Sequence, residues 1–372
     1  MQFRDLKKQY EVLKNDIDSA MIEVAGSSAF IMGKPVKELE TELAEYVGVK
    51  HCISCANGTD ALTLALKAWN IGKGDAVFVP DFTFFSSAEV ISLEGATPVF
   101  VDVDKSTYNM DVTDLENKIA KTVAESNLVP KVILTVDLFG LPADYPNIQK
   151  IADTYNLFIL EDGAQGFGGM IGEKRACSFG DISTTSFFPA KPLGCYGDGG
   201  AVFTDNDQWA ELMDSYRVHG KGKFKYDNVR IGMNSRLDTL QAAILKVKFK
   251  AFRDYELTHI NRAAAKYTEK LEGKVIVPII PEGYYSSWAQ YTIQLDNQET
   301  RDALQSRLKE HGVPSMVYYP TPMHGQTAYK GLSLSEECCP VASYLCHTVL
   351  SLPLHPYISD EDIETVCNLI VG

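Results

Sequence analysis

The sequence contains no long hydrophobic run. Its 372 residues include no charged-then-apolar leader after Met1. They also include no uninterrupted apolar stretch of about 18 residues, which is the length that a membrane-spanning helix needs. We therefore expect a cytoplasmic protein without a membrane partner.

Positive charge is also scarce. The 35 lysines and arginines are outnumbered by 49 acidic residues, which gives a formal net charge of −14. Nucleic acids and anionic membranes are bound by basic surfaces, so neither is an expected partner. A small anionic ligand stays open, because it needs only a local positive patch.

Cysteine is too sparse for a disulfide framework, with eight residues in the whole chain. The CxxC pair at residues 52–55 has no second pair at a matching spacing. Cys338, Cys339, Cys346 and His347 lie close in sequence and leave a metal site open. Buried or partly exposed thiols are the simpler interpretation of both groups, and we predict no metal.

The first half of the chain alternates apolar strand patterns with helical patterns. The strand patterns read DAVFVP, TPVFVDVD, KVILTVDLFG and LFILEDG. This alternation predicts an α/β domain with a mostly parallel central sheet and helices on both faces. A long helical stretch over residues 235–273 follows. We place a domain boundary inside it, which gives a large domain over residues 1–250 and a smaller α+β domain over residues 251–372.

Short polar stretches follow several of these strands, at the edge where ligands bind in open α/β sheets. The stretch Asn57-Gly58-Thr59-Asp60 combines a tight turn with a helix start. Free N–H groups and the helix dipole at such a start suit a phosphate. An ordinary helix cap is the simpler interpretation of this stretch when it is taken alone.

Glu161 and Asp162 close an apolar strand. A carboxylate in that position is costly unless it meets a cation or hydrogen-bond donors. It could be a metal ligand, a general base, the partner of a protonated ring nitrogen, or half of a buried salt bridge.

Lys191 stands in a stiff apolar segment, between Pro189 and Pro192. Apolar surroundings lower the pKa of a lysine because they disfavour its charged form, and a neutral amine is the form that makes a Schiff base. This lysine, a phosphate-binding turn and a strand-end aspartate together provide what pyridoxal 5′-phosphate (PLP) requires.

Ordered motifs along almost the whole chain resemble those of the DegT/DnrJ/EryC1 family of sugar aminotransferases. They include CANGTDAL, PDFTFFSSAE, EDGAQGFGG, SFFPAKPLGCYGDGGAVFT and MNSRLDTLQAAIL. The resemblance implies an aspartate-aminotransferase-like, fold type I PLP-dependent transferase. It also implies a homodimer with active sites shared between subunits.

The resemblance implies roles for individual residues. Lys191 would hold PLP as a Schiff base, and Asp162 would pair with the pyridinium nitrogen. The other implied cofactor contacts are Gly58, Thr59, Phe84, Gln165, Ser186 and, for the neighbouring subunit, Asn234. The implied contacts to the sugar nucleotide are Arg236, His219, Tyr319 and His324.

Plainer interpretations stay open for several of these residues. Phe84 lies in an aromatic run and could be a core residue, and Ser186 could be an ordinary strand hydroxyl. Arg236 could be a charge on a helix face, and His219 could belong to a solvated basic loop.

Two positions depart from the family pattern. Gly163 stands where many relatives have alanine, a small change that should leave Asp162 in place. Tyr318 stands where many relatives have histidine. The second departure leaves the identity of the sugar contacts open, although it does not affect the PLP chemistry.

The motifs most resemble the branch that acts on UDP-2-acetamido-2-deoxy-3-oxo-glucuronate. That resemblance implies transfer of an amino group from glutamate to C3 of a UDP-linked keto sugar, in the biosynthesis of bacterial surface polysaccharide such as lipopolysaccharide O-antigen. A 4-aminotransferase for another UDP- or dTDP-keto sugar stays open, as does a non-catalytic PLP-binding regulator. Sugar dehydratases of the family carry histidine at the position of Lys191, which argues against that activity.

Overall fold

The computed structural model describes residues 1–224, 226–332, 335 and 337–372. The helices are α1 (Leu6–Ser27), α2 (Lys34–Val47), α3 (Gly58–Ala68), α4 (Ser86–Leu93), α5 (Val112–Glu125), α6 (Tyr145–Tyr155), α7 (Asp207–Tyr216), α8 (Thr239–Ala251), α9 (Leu257–Leu271), α10 (Gln298–Glu310), α11 (Pro340–Thr348) and α12 (Asp360–Val371). The strands are β1 (His51–Cys55), β2 (Asp75–Pro80), β3 (Thr97–Val101), β4 (Val129–Val136), β5 (Phe158–Asp162), β6 (Met170–Ile171), β7 (Lys174–Arg175), β8 (Ile182–Ser186), β9 (Gly200–Thr204), β10 (Tyr284–Tyr285), β11 (Tyr291–Gln294) and β12 (Val349–Leu352).

A seven-stranded sheet forms the centre of the molecule, in the order β1-β9-β8-β5-β4-β2-β3. The pairs β2–β3, β2–β4, β4–β5 and β5–β8 are parallel, and β9 runs antiparallel to both of its neighbours. Strands such as β2 and β9 are buried along almost their whole length, because helices cover both faces of the sheet. The predicted α/β fold with a mostly parallel sheet is confirmed.

The long helical stretch predicted over residues 235–273 is interrupted in the structure. The π-helical turn Phe252–Glu256 separates α8 from α9. Phe252 and Glu256 are both buried in this turn. One side of the wider turn therefore packs against the protein, while Arg253 and Asp254 are exposed to solvent.

The part of the chain after this turn contributes to two cores. One apolar cluster draws its buried members from residues 260–370, including Tyr267 and Leu308. Met323 and Leu345, however, pack in the core beside the large sheet. The domain boundary at residue 250 therefore stays a prediction. None of the helices in the described ranges is long and apolar enough to cross a membrane.

The parallel pairing brings the carboxyl ends of β2, β4, β5 and β8 to one edge of the sheet. Asp162 ends β5 beside Thr184 of β8, and Ser186 ends β8. Gly58 begins α3 so close to this edge that a Cβ atom on it would lie 2.7 Å from the Ser186 Cβ. The fold thus brings the predicted polar stretches together at the carboxyl edge of the sheet.

Glu161 fixes the segment that follows the small β6–β7 hairpin. Its buried carboxylate accepts hydrogen bonds from the N–H of Cys177, from the N–H of Phe179 at 2.7 Å and from the Ser183 hydroxyl at 2.7 Å. Burial raises the pKa of Glu161, while these donors act in the opposite direction. Glu161 is therefore a structural carboxylate that points away from the cavity described below.

We expect Glu161→Ala to destabilise the fold. Each buried donor left without a partner costs about 1–3 kcal/mol, so the free energy of unfolding should fall by roughly 3 kcal/mol or more. The measurement is urea unfolding followed by circular dichroism. Glu173→Ala, in the turn of the same hairpin and exposed, is the matched control. Equal unfolding midpoints for the two variants would contradict the role given to Glu161.

Candidate active site

A cavity of about 850 Å³ opens at the carboxyl edge of the large sheet. Its size is within the range typical of small-molecule and cofactor sites. The predicted site residues that line it are Gly58, Thr59, Phe84, Asp162, Gln165, Ser186, Lys191 and Tyr319.

Lys191 faces this cavity from the loop after β8. Burial lowers the pKa of its amine, and the nearby Arg4 guanidinium lowers it further, whereas Asp162 acts in the opposite direction. Arg4 also donates a hydrogen bond from Nη2 to the Lys191 carbonyl oxygen at 3.0 Å. The loop is thereby anchored, and the amine is moved toward the neutral form that a nucleophile needs.

Asp162 lies at the end of β5 and is 6% exposed. Its Oδ2 accepts a hydrogen bond from the Ser87 hydroxyl at 2.8 Å, and its Oδ1 accepts one from the Ala164 N–H at 3.1 Å. Burial raises the pKa of Asp162, while these donors and Lys191 act to lower it. A buried carboxylate with this orientation suits a cationic partner inside the cavity.

The start of α3 provides an anion site. The Asn57 side chain accepts the Asp60 N–H at 2.7 Å, and the Asn57 carbonyl oxygen accepts the Ala61 N–H at 3.1 Å. Among the described residues, nothing accepts the N–H groups of Gly58 and Thr59, which lie at the cavity wall. The hydroxyl of Ser186 is beside them, so main-chain and side-chain donors converge where a phosphate would fit.

Gln165 connects two walls of the cavity. Its Oε1 accepts the Phe139 N–H at 2.9 Å, and its Nε2 donates to the Tyr319 hydroxyl at 3.1 Å. Phe84 is 54% exposed at the cavity, and its ring centroid lies 6.4 Å from that of Tyr319. Phe84 is therefore not a core residue, and its ring is free to cover a planar ligand.

Four predicted residues lie outside this cavity. Asn234 is exposed, and its Oδ1 accepts a hydrogen bond from Arg236 Nη2 at 2.6 Å. His219 is exposed and has a left-handed backbone, with φ of 60°. His324 points at Asp81, with 2.6 Å between its Nδ1 and the Asp81 Oδ2. Their predicted contacts to cofactor or sugar stay predictions.

The two departures from the family pattern have different surroundings. A Cβ atom on Gly163 would lie 2.7 Å from the Cys177 Sγ and 3.0 Å from the Thr184 carbonyl oxygen. The packing behind Asp162 is therefore so tight that glycine, which has no side chain, fits there. Tyr318, in contrast, lines the cavity itself.

Several neighbours of the predicted site residues were not predicted from the sequence. Arg4 and Ser87 act on Lys191 and Asp162, respectively, and Asp198 and Gln290 line the cavity. The motifs PDFTFFSSAE and CYGDGG include Ser87 and Asp198, but nothing in their spacing says where the side chains point. Arg4 is 187 residues away from its partner, so no local pattern could have found it.

The residues at this cavity fit PLP. The N–H groups without a partner at the start of α3 and the Ser186 hydroxyl would hold the phosphate, and Asp162 would hold the ring nitrogen. Gly58 has no room for a side chain, so the main chain can approach the phosphate directly. Lys191 supplies an amine with a lowered pKa in the same cavity.

Comparison with characterised proteins finds close relatives. A UDP-2-acetamido-2-deoxy-3-oxo-D-glucuronate aminotransferase from Pseudomonas aeruginosa is 42% identical over 99% of this chain and 98% of its own. A pleiotropic regulatory protein from Geobacillus stearothermophilus is 41% identical, with coverage of 98% and 96%. A UDP-N-acetyl-3-dehydro-alpha-D-glucosamine 3-aminotransferase from Acidithiobacillus ferrooxidans is 40% identical, with the same coverage of 98% and 96%.

Solved structures share the fold over the whole chain. A DegT DnrJ EryC1 StrS aminotransferase from Brucella abortus superposes with a TM-score of 0.96 at 49% identity, covering 100% of this chain and 98% of its own. NtdA from Bacillus subtilis with bound cofactor PMP gives a TM-score of 0.85 at 28% identity, covering 97% and 82%.

The family model that matches this sequence is described as the DegT/DnrJ/EryC1/StrS aminotransferase family, and it covers residues 11–371. The family model matches nearly the whole chain, and the relatives named above align with this chain over 96–98% of their own lengths. The chain therefore belongs to the DegT/DnrJ/EryC1/StrS aminotransferase family.

Proposed function

We propose that this PLP-dependent aminotransferase moves an amino group from glutamate to C3 of UDP-2-acetamido-2-deoxy-3-oxo-glucuronate. The reaction would be a cytoplasmic step in the biosynthesis of bacterial surface polysaccharide such as O-antigen. The observation that carries the proposal is that Lys191, Asp162 and the phosphate-binding start of α3 line one cavity. The relatives named for 3-oxo sugars support the choice of substrate.

PLP, when bound, supplies the electron sink that stabilises a carbanion at the Cα of the amino donor. Gly58, Thr59 and Ser186 would hold its phosphate, and Lys191 would anchor it through Nζ. Asp162 would keep the ring nitrogen protonated, because a buried carboxylate favours a cation beside it.

Lys191 would also act as the general acid and base of the reaction. Its lowered pKa favours the neutral form of the released amine, which is the form in which Nζ can take the Cα proton of glutamate. The hydrogen bond from Arg4 to the Lys191 carbonyl oxygen holds the loop while the side chain moves. With the keto sugar, the same amine would return a proton to the sugar carbon that receives nitrogen.

The sugar would lie toward the wall formed by Tyr318 and Tyr319. Tyr318 replaces the histidine of many relatives, which keeps amination at C4 of a UDP- or dTDP-keto sugar as the second candidate. A non-catalytic PLP-binding regulator would use the same phosphate site and ring partner, so the half-reaction with glutamate is what distinguishes it from an aminotransferase.

We further propose a homodimer in which Asn234 completes the phosphate site of the neighbouring subunit, while Arg236 and His219 reach toward its sugar nucleotide. Asn234 lies outside the cavity of its own subunit and is exposed. The preceding segment exposes Phe224, Val229 and Ile231, the last of them to 92%. Exposed apolar side chains grouped in this way are typical of an interface.

Glutamate alone should convert the enzyme to its amino form. We expect the visible band of lysine-bound PLP to bleach on addition of glutamate, because the first half of transamination needs no sugar. Lys191→Ala should show neither the band nor turnover. A visible band that glutamate leaves unchanged would rule out glutamate as the donor, and turnover by Lys191→Ala would contradict the role of this lysine.

A panel of UDP- and dTDP-linked 3-keto and 4-keto sugars, added to the glutamate-treated enzyme, then identifies the acceptor. Return of the visible band with the UDP-3-keto glucuronate supports the proposal. Return with a 4-keto sugar alone would favour the second candidate.

We expect Asp162→Asn to bind PLP but to lose most of its rate. The amide keeps the shape of the side chain and removes the negative charge that keeps the ring nitrogen protonated, so the electron sink weakens. The rate constant for bleaching by glutamate should fall by a factor of roughly 100 or more, as expected when a buried charge stabilising the transition state is lost. An unchanged rate constant with full PLP occupancy would refute this role.

The dimer should depend on the exposed segment before Asn234. Ile231→Lys should shift the mass measured by light scattering from about twice 41.1 kDa toward the monomer and weaken PLP binding. Val123→Lys on α5, also an exposed apolar position at 59%, is the control and should remain dimeric. A wild-type protein that is monomeric and active would contradict the proposal.

A further inference from the structure

Three metal-ligating side chains meet outside the cofactor cavity. A ring nitrogen of His324 and the thiol sulfurs of Cys338 and Cys339 all lie within 4.8 Å of one another. Cys339 is buried and the other two residues are half-buried. None of the three lines the PLP cavity, and the sugar contact that the family resemblance implies for His324 stays a prediction.

Asp81 orients the histidine of this cluster. Its Oδ2 lies 2.6 Å from the ring Nδ1 of His324, and its Oδ1 accepts a hydrogen bond from the main-chain N–H of His324 at 2.8 Å. The Asp81 carbonyl oxygen also accepts the Met323 N–H at 2.8 Å. A carboxylate on one ring nitrogen is the arrangement that orients metal-binding histidines, and it leaves Nε2 to coordinate.

The two cysteines lie in a turn that is also held in place by hydrogen bonds. Asp102 accepts the N–H groups of Val341 at 2.9 Å and Ala342 at 2.8 Å, which fixes the start of α11 directly after the cysteines. Lys118 donates from Nζ to the Cys338 carbonyl oxygen at 3.1 Å. Both cysteines are free of disulfides.

We propose that His324, Cys338 and Cys339 bind one Zn²⁺ ion through Nε2 and two thiolates. Sulfur and imidazole ligands select Zn²⁺ over Mg²⁺ or Ca²⁺, which prefer oxygen. Ligand atoms around tetrahedral Zn²⁺ lie about 3.5–3.8 Å apart, so small rotations of these side chains complete the site. A water molecule takes the fourth position, and the two thiol protons are released on binding.

The ion would join parts of the chain that surround the active site. His324 follows the cavity-lining residues 317–320, and Asp81 precedes Phe84 by three residues. Zn²⁺ would tie both segments to the start of α11. Its role is therefore to hold a wall of the cavity in place, and it takes no part in the chemistry at PLP.

Cadmium titration of the reduced, full-length holoenzyme tests the site. After dialysis against a chelator, Cd²⁺ should produce an ultraviolet cadmium–thiolate band that saturates at one equivalent per chain and disappears when Zn²⁺ is added. Cys338→Ser and Cys339→Ser should each abolish the high-affinity band. Asp81→Asn should weaken Cd²⁺ binding by roughly 10–100-fold, as expected for loss of a carboxylate behind a ligating histidine.

Cys346→Ser is the matched control, because Cys346 is a buried cysteine on α11 that is not part of the cluster. It should retain the cadmium band, and the visible band of PLP checks that each variant is folded. The proposal is wrong if the folded wild-type enzyme gives no cadmium band. It is equally wrong if Cys338→Ser and Cys339→Ser both keep the band.

Discussion

The parallel alignment of β5 between β4 and β8 determines where Asp162, Ser186 and Lys191 lie. Because all three strands end at the same edge, Asp162, Ser186 and the loop that carries Lys191 meet there without any long excursion of the chain. Successive residues of a strand point to opposite faces. Glu161 therefore turns toward the 177–183 segment and Asp162 toward the cavity. The end of β5 thus places a structural carboxylate, Glu161, next to the carboxylate that lines the cavity, Asp162.

Charge is distributed very unevenly in this acidic protein. Behind the loop of Lys191 lie Arg4 and Lys248, both partly or fully withdrawn from water. Burial lowers the pKa of Lys248 to about 8, against the opposing effect of Glu256. Glu256 in turn accepts hydrogen bonds from Gln9 at 2.8 Å and from Tyr357 at 2.5 Å. The Arg4 guanidinium therefore helps to lower the pKa of Lys191 although the chain as a whole carries a net charge of −14.

The sequence predicted the α/β fold because strands covered on both faces are continuous apolar runs. It also indicated that polar stretches at the strand ends would meet at one edge of the sheet, whereas the roles of single residues toward the cofactor came from the family resemblance and stay predictions. It did not predict α1, which buries only Gln9, Ile17 and Val24 and so has a weak apolar stripe. Contacts between segments far apart in sequence could not be predicted, because no local pattern indicates them. The contact of Arg4 with Lys191 is one example. The cluster of His324 with Cys338 and Cys339 is another example. The sequence pattern grouped these cysteines with Cys346 and His347, whereas the fold brings His324 to them through Asp81.

The narrow contact between Gly58 and Ser186 has a consequence for how such an enzyme can change. The phosphate would be held largely by main-chain N–H groups, which side-chain substitutions do not remove, and position 58 admits no larger residue. The opposite wall presents the side chains of Tyr318 and Tyr319, which a single substitution does change. Substitutions on one side of the cavity can thus change which acceptor sugar would bind, while the main-chain contacts to the cofactor stay the same. The evolution of substrate specificity is then separate from the preservation of catalysis.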